Sequence, residues 1–446
     1  MVTANAMNAS PTNEPATDKD QEPGPGRARQ NAIYRAGVLG RTPIVPTDFA
    51  TLERRARRRM SAKAWAYTAG GAGDGSTMRA NREAFERWKI VPRVLRDVSR
   101  RDISVELFGR RIPAPVLLAP LGASDLVHPE ADRAIARAAA DLGVPYILSN
   151  QAGVPMEECA AAMGSAPRWF QLYWSKDDRL VDSLLERAKN IGAEAVVVTL
   201  DTQLLGWRPL DLNLGSLPFS QGQGIAQYTA DHTFLQIVRE RLAAARAAGI
   251  KDTADVTLGS IRTLVNISRR FPGRFLDNLR SPVPRAAVET FLDIYSRPSL
   301  TWQDLITLRN RTDLPVVLKG VLHPDDARRA LDIGVDGIMV SNHGGRQVGG
   351  SIASLDALAD IAGVVGGKAT LLFDSGIRTG ADIFKALALG ADAVTVGRPY
   401  LYGLALNGAQ GARDTVANLI AEFDLTLGLA GHVSAREITV ESLSSR

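Results

Sequence analysis

The chain has one cysteine, Cys159, in 446 residues, so no intrachain disulfide is possible and a reducing, cytoplasmic setting is expected. Its surroundings, MEECAAAM, have the pattern of a helix face that buries the thiol. No run approaches the roughly 18 apolar residues of a membrane helix, and the first thirty residues lack the apolar core of a secretory signal. Histidines number only five: His128, His323 and His432 fall at helix starts or near the tail, His232 lies in a long insertion, and no spacing suggests a metal site. Aromatics are scarce at 6%, which bears on the reading of the charge. Lys and Arg total 53 against 48 Asp and Glu, a net +5, and the densest run, Arg54, Arg55, Arg57, Arg58 and Arg59, has no aromatic platform on which bases would stack. A solvated or interface-forming helix face is expected there, and no nucleic-acid partner.

What the chain does have, from about residue 105 onward, is a repeated alternation of short apolar runs with helical patterns. The runs that read as strands are 114–120, 145–150, 168–173, 195–201, 315–319, 336–341, 369–374 and 392–397. Between them fall helical stretches such as PEADRAIARAAADLG, DDRLVDSLLERAKNIG, PDDARRALDIG and TGADIFKALALG, several ending in a glycine that leads into the next strand. Near-continuous apolar strands, each paired with a helix, predict a closed parallel (β/α)8 TIM barrel rather than an open sheet. A helical segment beginning at Thr47 precedes it, and residues 1–46, polar with little to bury, are expected to form a mobile tail. The alternation breaks once, after the fourth strand, where residues 204–300 carry helical patterns at 233–248 and 285–295. An insertion of that length at a barrel mouth predicts an active-site lid.

In such a barrel the carboxyl ends of the strands converge on the active site. Here they read Pro120, Leu121 and Gly122; Ser149; Gln171 and Tyr173; Thr199 and Asp201; Lys319; Ser341 and His343; Asp374, Ser375, Gly376 and Arg378; Gly397 and Arg398. The sixth strand stops in SNHGGRQ, which puts His343 and Arg346 on a tight glycine loop, the layout of a general base beside an anion fork. The last two strands run into DSGIRTGAD and VGRP. Gly376 and Gly397 expose backbone N–H groups, Arg378 and Arg398 add fixed charge, and a helix starts at Thr379 or Gly380, so amides, arginine and a helix N-terminus are expected to cradle a phosphate. Lys319 ends PVVLKG, where it must point into the mouth and meet an anion.

The combination SNHGGRQ resembles the signature loop of the FMN-dependent 2-hydroxy-acid oxidase and dehydrogenase family, and the resemblance covers about residues 45–440. It implies FMN as cofactor, a small anionic 2-hydroxy acid and O2 as partners, and assembly into a tetramer or octamer. By the same resemblance His343 removes a proton from the substrate and Asp201 orients it, while Arg346, Arg208 and Tyr67 hold the substrate carboxylate and Tyr173 belongs to the same catalytic group. Ser149, Gln171 and Thr199 are expected to hydrogen-bond the flavin ring, Lys319 to face its N1 and O2 edge, and the backbone of Pro120, Leu121 and Gly122 to lie near N5. Ser341, Asp374, Ser375, Gly376, Arg378, Gly397 and Arg398 complete the expected cofactor site. Within the family, LDTQLLGWRPLDL followed by LPF looks most like the lactate 2-monooxygenases, so decarboxylating oxidation of L-lactate is the expected activity. Gly122, lacking a side chain, is expected to leave room near N5 for oxygen and bound product. A plain oxidase releasing peroxide, a dehydrogenase passing electrons to a quinone or protein, and a non-catalytic phosphate-ligand barrel are the alternatives. Gln151 departs from the plant-type glycolate oxidases, which have an aromatic residue there.

Overall fold

The computed structural model describes residues 24–249 and 257–445. At its centre eight parallel strands close into a barrel: β1 (Val116–Leu118), β2 (Tyr146–Leu148), β3 (Arg168–Leu172), β4 (Val196–Thr199), β5 (Val316–Val321), β6 (Gly337–Val340), β7 (Thr370–Phe373) and β8 (Ala393–Val396). Each pairs with its neighbour in sequence, and β8 closes on β1 with Val394, Thr395 and Val396 opposite Val116, Leu117 and Leu118. The apolar runs thus located every barrel strand to within about two residues. Their continuous apolar character follows from double burial: inward side chains fill the barrel, outward ones meet the helices, and all of β4 is buried. The helix Asp178–Asn190 shows the complementary pattern, burying Leu180, Val181, Leu184, Leu185 and Ala188 on one stripe after an Asp177 N-cap.

A short antiparallel hairpin, Val105–Leu107 against Arg110–Ile112, covers the amino ends of the strands. Its turn residue Phe108 packs 5.2 Å from the ring of Trp169 and against Gly337, each at the start of a strand. The carboxyl ends are therefore the open end. Over them the insertion folds back as a packed roof: the helices His232–Ala247 and Val283–Ile294 fall where their periodicity indicated. An aromatic cluster holds them, with Tyr228 and Phe291 rings 4.7 Å apart and Phe291 and Tyr295 stacked at 5.0 Å. Each fully buried ring of this kind contributes roughly 1.5–3 kcal/mol.

The amino-terminal stretch corrects the expectation of a tail. Pro25–Val38 is a helix lying along the long C-terminal helix Arg398–Leu429, and only residues 1–23 of that stretch lie outside the described residues. The cause is a set of distant partners that no local pattern displays. Gly26 N donates to Asp424 Oδ2 at 3.0 Å, Arg101 pairs with the same carboxylate at 2.8 Å, and Arg29 donates to Asn418 Oδ1 at 2.8 Å. A Cβ at Gly26 would come within 2.6 Å of Leu425 and 2.8 Å of Ala421 O, so the two helices meet where glycine leaves room. The next helix, Phe49–Arg59, starts from the Asp48 cap and packs on the same C-terminal helix, its arginines exposed as the sequence implied.

Candidate active site

A cavity opens at the carboxyl ends of the strands, under the roof formed by the insertion. Beyond β6 the chain turns so sharply that His343 takes a left-handed backbone, φ 57°, and this conformation is held by its N–H donating to Ser341 Oγ at 3.0 Å. Beyond β4 the chain delivers Asp201, whose Oδ1 lies 2.8 Å from His343 Nδ1 and also accepts from Thr202 Oγ1 at 3.0 Å. With Nδ1 so engaged, Nε2 is the nitrogen left to meet a ligand. Burial pulls the imidazole below its ordinary pKa, and the neighbouring Asp201 carboxylate opposes that pull. Burial alone would raise Asp201, but the charges of His343 and Lys319 bring its pKa down to about 2. The result is a buried imidazole whose neutral form is favoured by desolvation, with a carboxylate placed to stabilise its protonated form.

Four arginines converge on the same cavity, and their hydrogen bonds go to neutral acceptors. Arg346 Nη1 donates to Tyr67 O and, at 2.9 Å, to Gly70 O; Arg398 donates to Thr68 O, Gly70 O and Gly344 O at 2.9–3.0 Å. The Tyr67, Thr68 and Gly70 carbonyls end the helix Ala62–Ala69, whose negative pole therefore positions both cations and clamps the amino-terminal segment to the barrel mouth. Arg208 donates to Gln347 Oε1 at 2.7 Å and to Arg346 O at 3.1 Å, and Arg378 donates to Ile377 O while lying 4.4 Å over the Phe49 ring. Burial together with the like charge of Arg208 draws Arg346 down to about 9, and burial with Arg398 draws Arg378 down to about 10. Asp211, the nearby acid, is itself pushed up by burial. A cavity with this surplus of buried positive charge fits two anionic groups, one by Arg208 and Arg346, the other by Arg378 and Arg398.

The sequence-selected residues divide into two layers. Tyr67, Pro120, Leu121, Gly122, Tyr173, Arg208, Lys319, His343, Arg346, Asp374, Ser375, Gly376, Arg378, Gly397 and Arg398 line the cavity. Ser149, Gln171, Thr199, Asp201 and Ser341 stand behind its surface and hold the lining residues. Gln171 Nε2 donates to Thr199 Oγ1 at 2.9 Å, and Ser149 Oγ donates to Gln171 Oε1 at 3.2 Å, a chain across three strand ends.

Two details depart from expectation. The N-terminus of the helix Gly380–Ala388 is already satisfied: Asp382 Oδ2 accepts from Arg378 N and Thr379 N, and Glu422 accepts from Gly380 N, so this helix end is not open to a phosphate. Nor does Gly122 leave open space, because a Cβ there would lie 3.1 Å from Tyr67 Oη and from Gln151 Cβ; the missing side chain lets those two groups close in. Sequence reasoning assigned no site role to Leu205, Phe219 and Tyr295, which add to the apolar part of the lining. They come from the insertion, where the LDTQLLGWRPLDL and LPF runs contain Leu205 and Phe219 and no motif marked Tyr295.

A family model described as FMN-dependent dehydrogenase matches residues 56–445. The chain is 43% identical over 403 residues to an FMN-dependent alpha-hydroxy acid dehydrogenase of Penicillium citrinum, covering 90% of this chain and 92% of that one. It is 40% identical over 389 residues to an L-lactate oxidase of Lysinibacillus sphaericus, covering 87% and 90%. Among solved structures, a mandelate oxidase with (S)-4-hydroxymandelic acid matches with a TM-score of 0.72 at 36% identity, over 90% of this chain and 99% of that one. With the His343–Asp201 pair and the arginine-lined cavity set on a barrel of this kind, the chain belongs to the FMN-dependent 2-hydroxy-acid oxidase and dehydrogenase family, and FMN is its cofactor.

Proposed function

We propose that the protein oxidises a short L-2-hydroxy acid, L-lactate foremost, with O2 as electron acceptor, and holds the keto acid in place until oxygen decarboxylates it. The observation that carries the reading is the His343–Asp201 pair, 2.8 Å apart, facing the same cavity as Arg208 and Arg346. The substrate carboxylate is bound by those two guanidinium groups, with the Tyr67 hydroxyl as a further donor. His343 Nε2 then receives the substrate proton, and Asp201 stabilises the imidazolium that forms. Arg378 and Arg398, beside the Gly376 and Gly397 loops, would hold the FMN phosphate, and Lys319 would supply positive charge to the ring. When bound, FMN accepts two electrons from the substrate and passes them to oxygen.

Retention of the product rests on the roof. Phe219, edge-on to the Tyr67 ring and anchored with Tyr295 by Phe291, adds apolar surface to the cavity that Gln151 also lines, and an apolar substituent of the substrate would rest against it. The balanced reaction is lactic acid plus O2 giving acetic acid, CO2 and water. Turnover of L-lactate in air, assayed together for acetate, pyruvate and peroxide, is expected to yield acetate with little free peroxide. Stoichiometric pyruvate and peroxide from the first turnover would make the protein a plain oxidase.

A further inference from the structure

At the wall of the cavity, one carboxylate has more partners than a contact to a ligand requires. Asp374 follows β7 and is 8% exposed. Its Oδ1 accepts from Thr395 Oγ1 at 2.6 Å, and its Oδ2 accepts from Ser341 Oγ at 2.6 Å and from Ser375 Oγ at 3.2 Å. The Lys319 ammonium lies 3.5 Å from the same Oδ2. Ser341 is the hub of the group: its one hydroxyl proton goes to Asp374, while its oxygen accepts from Lys319 Nζ at 2.9 Å and from His343 N at 3.0 Å. Lys319 in turn lies 4.0 Å from Asp201 Oδ2, a buried oxygen with no hydrogen-bond partner among the described residues. The charges therefore run in a row, His343, Asp201, Lys319, Asp374, and alternate in sign once His343 carries a proton.

We propose that Asp374 is a positioning residue that couples the two working ends of the site: it fixes the Lys319 ammonium and, through Ser341, the backbone of His343. Two consequences follow from the row of charges. Before proton transfer it sums to one negative charge and afterwards to zero, so the buried carboxylate favours proton capture by His343. The same carboxylate offsets part of the positive field that Lys319 applies to the flavin. An asparagine at this position cannot serve as a substitute: it has one acceptor oxygen for the Thr395 and Ser341 hydroxyls together, and its amide protons would face a lysine. The chemistry is that of a screw setting two parts at once, which is why a phosphate or ribityl contact alone does not account for the partners observed.

The inference rests on His343 being the base, and the two readouts separate that assumption from the coupling itself. In FMN-loaded Asp374→Asn, the midpoint potential of the bound flavin, measured without substrate by equilibration with redox dyes, is expected to rise, because positive charge is no longer offset. In the same variant the acid limb of kcat/KM for L-lactate is expected to fall by about one pH unit, since the imidazolium has lost a stabilising anion. A raised potential with an unmoved acid limb would overturn the coupling to His343, and an unmoved potential would overturn the setting of Lys319. Weaker FMN retention with both readouts unchanged would make Asp374 a cofactor contact and nothing more. Thr395→Val keeps the charge and removes one hydrogen bond from it, so it is expected to retain the wild-type potential to a close approximation. If Asp374→Asn fails to fold, Ser341→Ala takes its place: it breaks the link to His343 N with both charges kept, and is expected to slow turnover at least tenfold. Turnover within threefold of wild type in FMN-loaded Ser341→Ala would overturn the proposal.

Discussion

Replacing Asp201 by asparagine changes one charge and almost no volume, which makes it the sharpest perturbation of the base. Asp201 Oδ1 lies 2.8 Å from His343 Nδ1 and remains able to accept a hydrogen bond as an amide oxygen, so the neutral imidazole keeps its orientation. What is lost is the attraction between carboxylate and imidazolium. A hydrogen bond to a charged group contributes about 1.5–3 kcal/mol, and about 1.4 kcal/mol is a factor of ten, so proton transfer is expected to slow by roughly one to two powers of ten. Lys319, 4.0 Å from Oδ2, loses a counter-charge at the same time, which lowers the basicity of His343 further and places the true loss at the upper end. The assay is anaerobic stopped-flow mixing of FMN-loaded Asp201→Asn with saturating L-lactate, following the loss of flavin absorbance, with FMN content as the control for folding. A rate within about threefold of wild type, with full FMN content, would refute the electrostatic role given to Asp201.

Arg208→Lys is expected to raise KM for 2-hydroxy acids by about tenfold or more while leaving FMN retention unchanged, since lysine keeps the charge but loses the paired fork; steady-state kinetics with L-lactate checks it. Because burial disfavours the imidazolium of His343, the neutral base persists to lower pH, and the acid limb of kcat/KM is expected below the ordinary histidine value of 6.5. A limb at or above pH 7 would contradict the burial of His343. Gly26→Val places a side chain where Leu425 and the Ala421 carbonyl already stand, so it is expected to cost about 1–3 kcal/mol and to lower Tm by a few degrees with kcat unaffected. An unchanged Tm would mean that the helix Pro25–Val38 contributes nothing to the stability of the fold.

The barrel was legible because its physics is local. Apolar runs such as PVVLK and DGIMV are buried on both faces, and their ends in Lys319, Ser341 and His343 mark the mouth without any knowledge of the partners across it. The placement of His343 and Arg346 at the mouth was legible for the same reason: a polar, glycine-rich break after a buried strand leaves the strand's end open to the cavity. What stayed hidden depends on distant pairs. The docking of Pro25–Val38 is decided by Asp424, almost four hundred residues away, so the polar composition of that stretch gave the wrong answer. The occupied end of the helix Gly380–Ala388 was misread because Asp382 had to be placed before its claim on the amides of Arg378 and Thr379 was visible. Gly122 was misread in the opposite sense: the absence of a side chain suggested space, whereas Tyr67 and Gln151, from two other elements, fill it.

The account stands most directly on His343 as the base. FMN-loaded His343→Gln, mixed anaerobically with L-lactate, tests it in one measurement, because the cofactor contacts are spread over several strand ends and one imidazole can be lost without emptying the site. The account predicts a normal flavin spectrum and reduction of the flavin slowed by roughly two to four powers of ten, the usual reach of a general base. Reduction within about threefold of the wild-type rate would contradict it and assign the proton to another group.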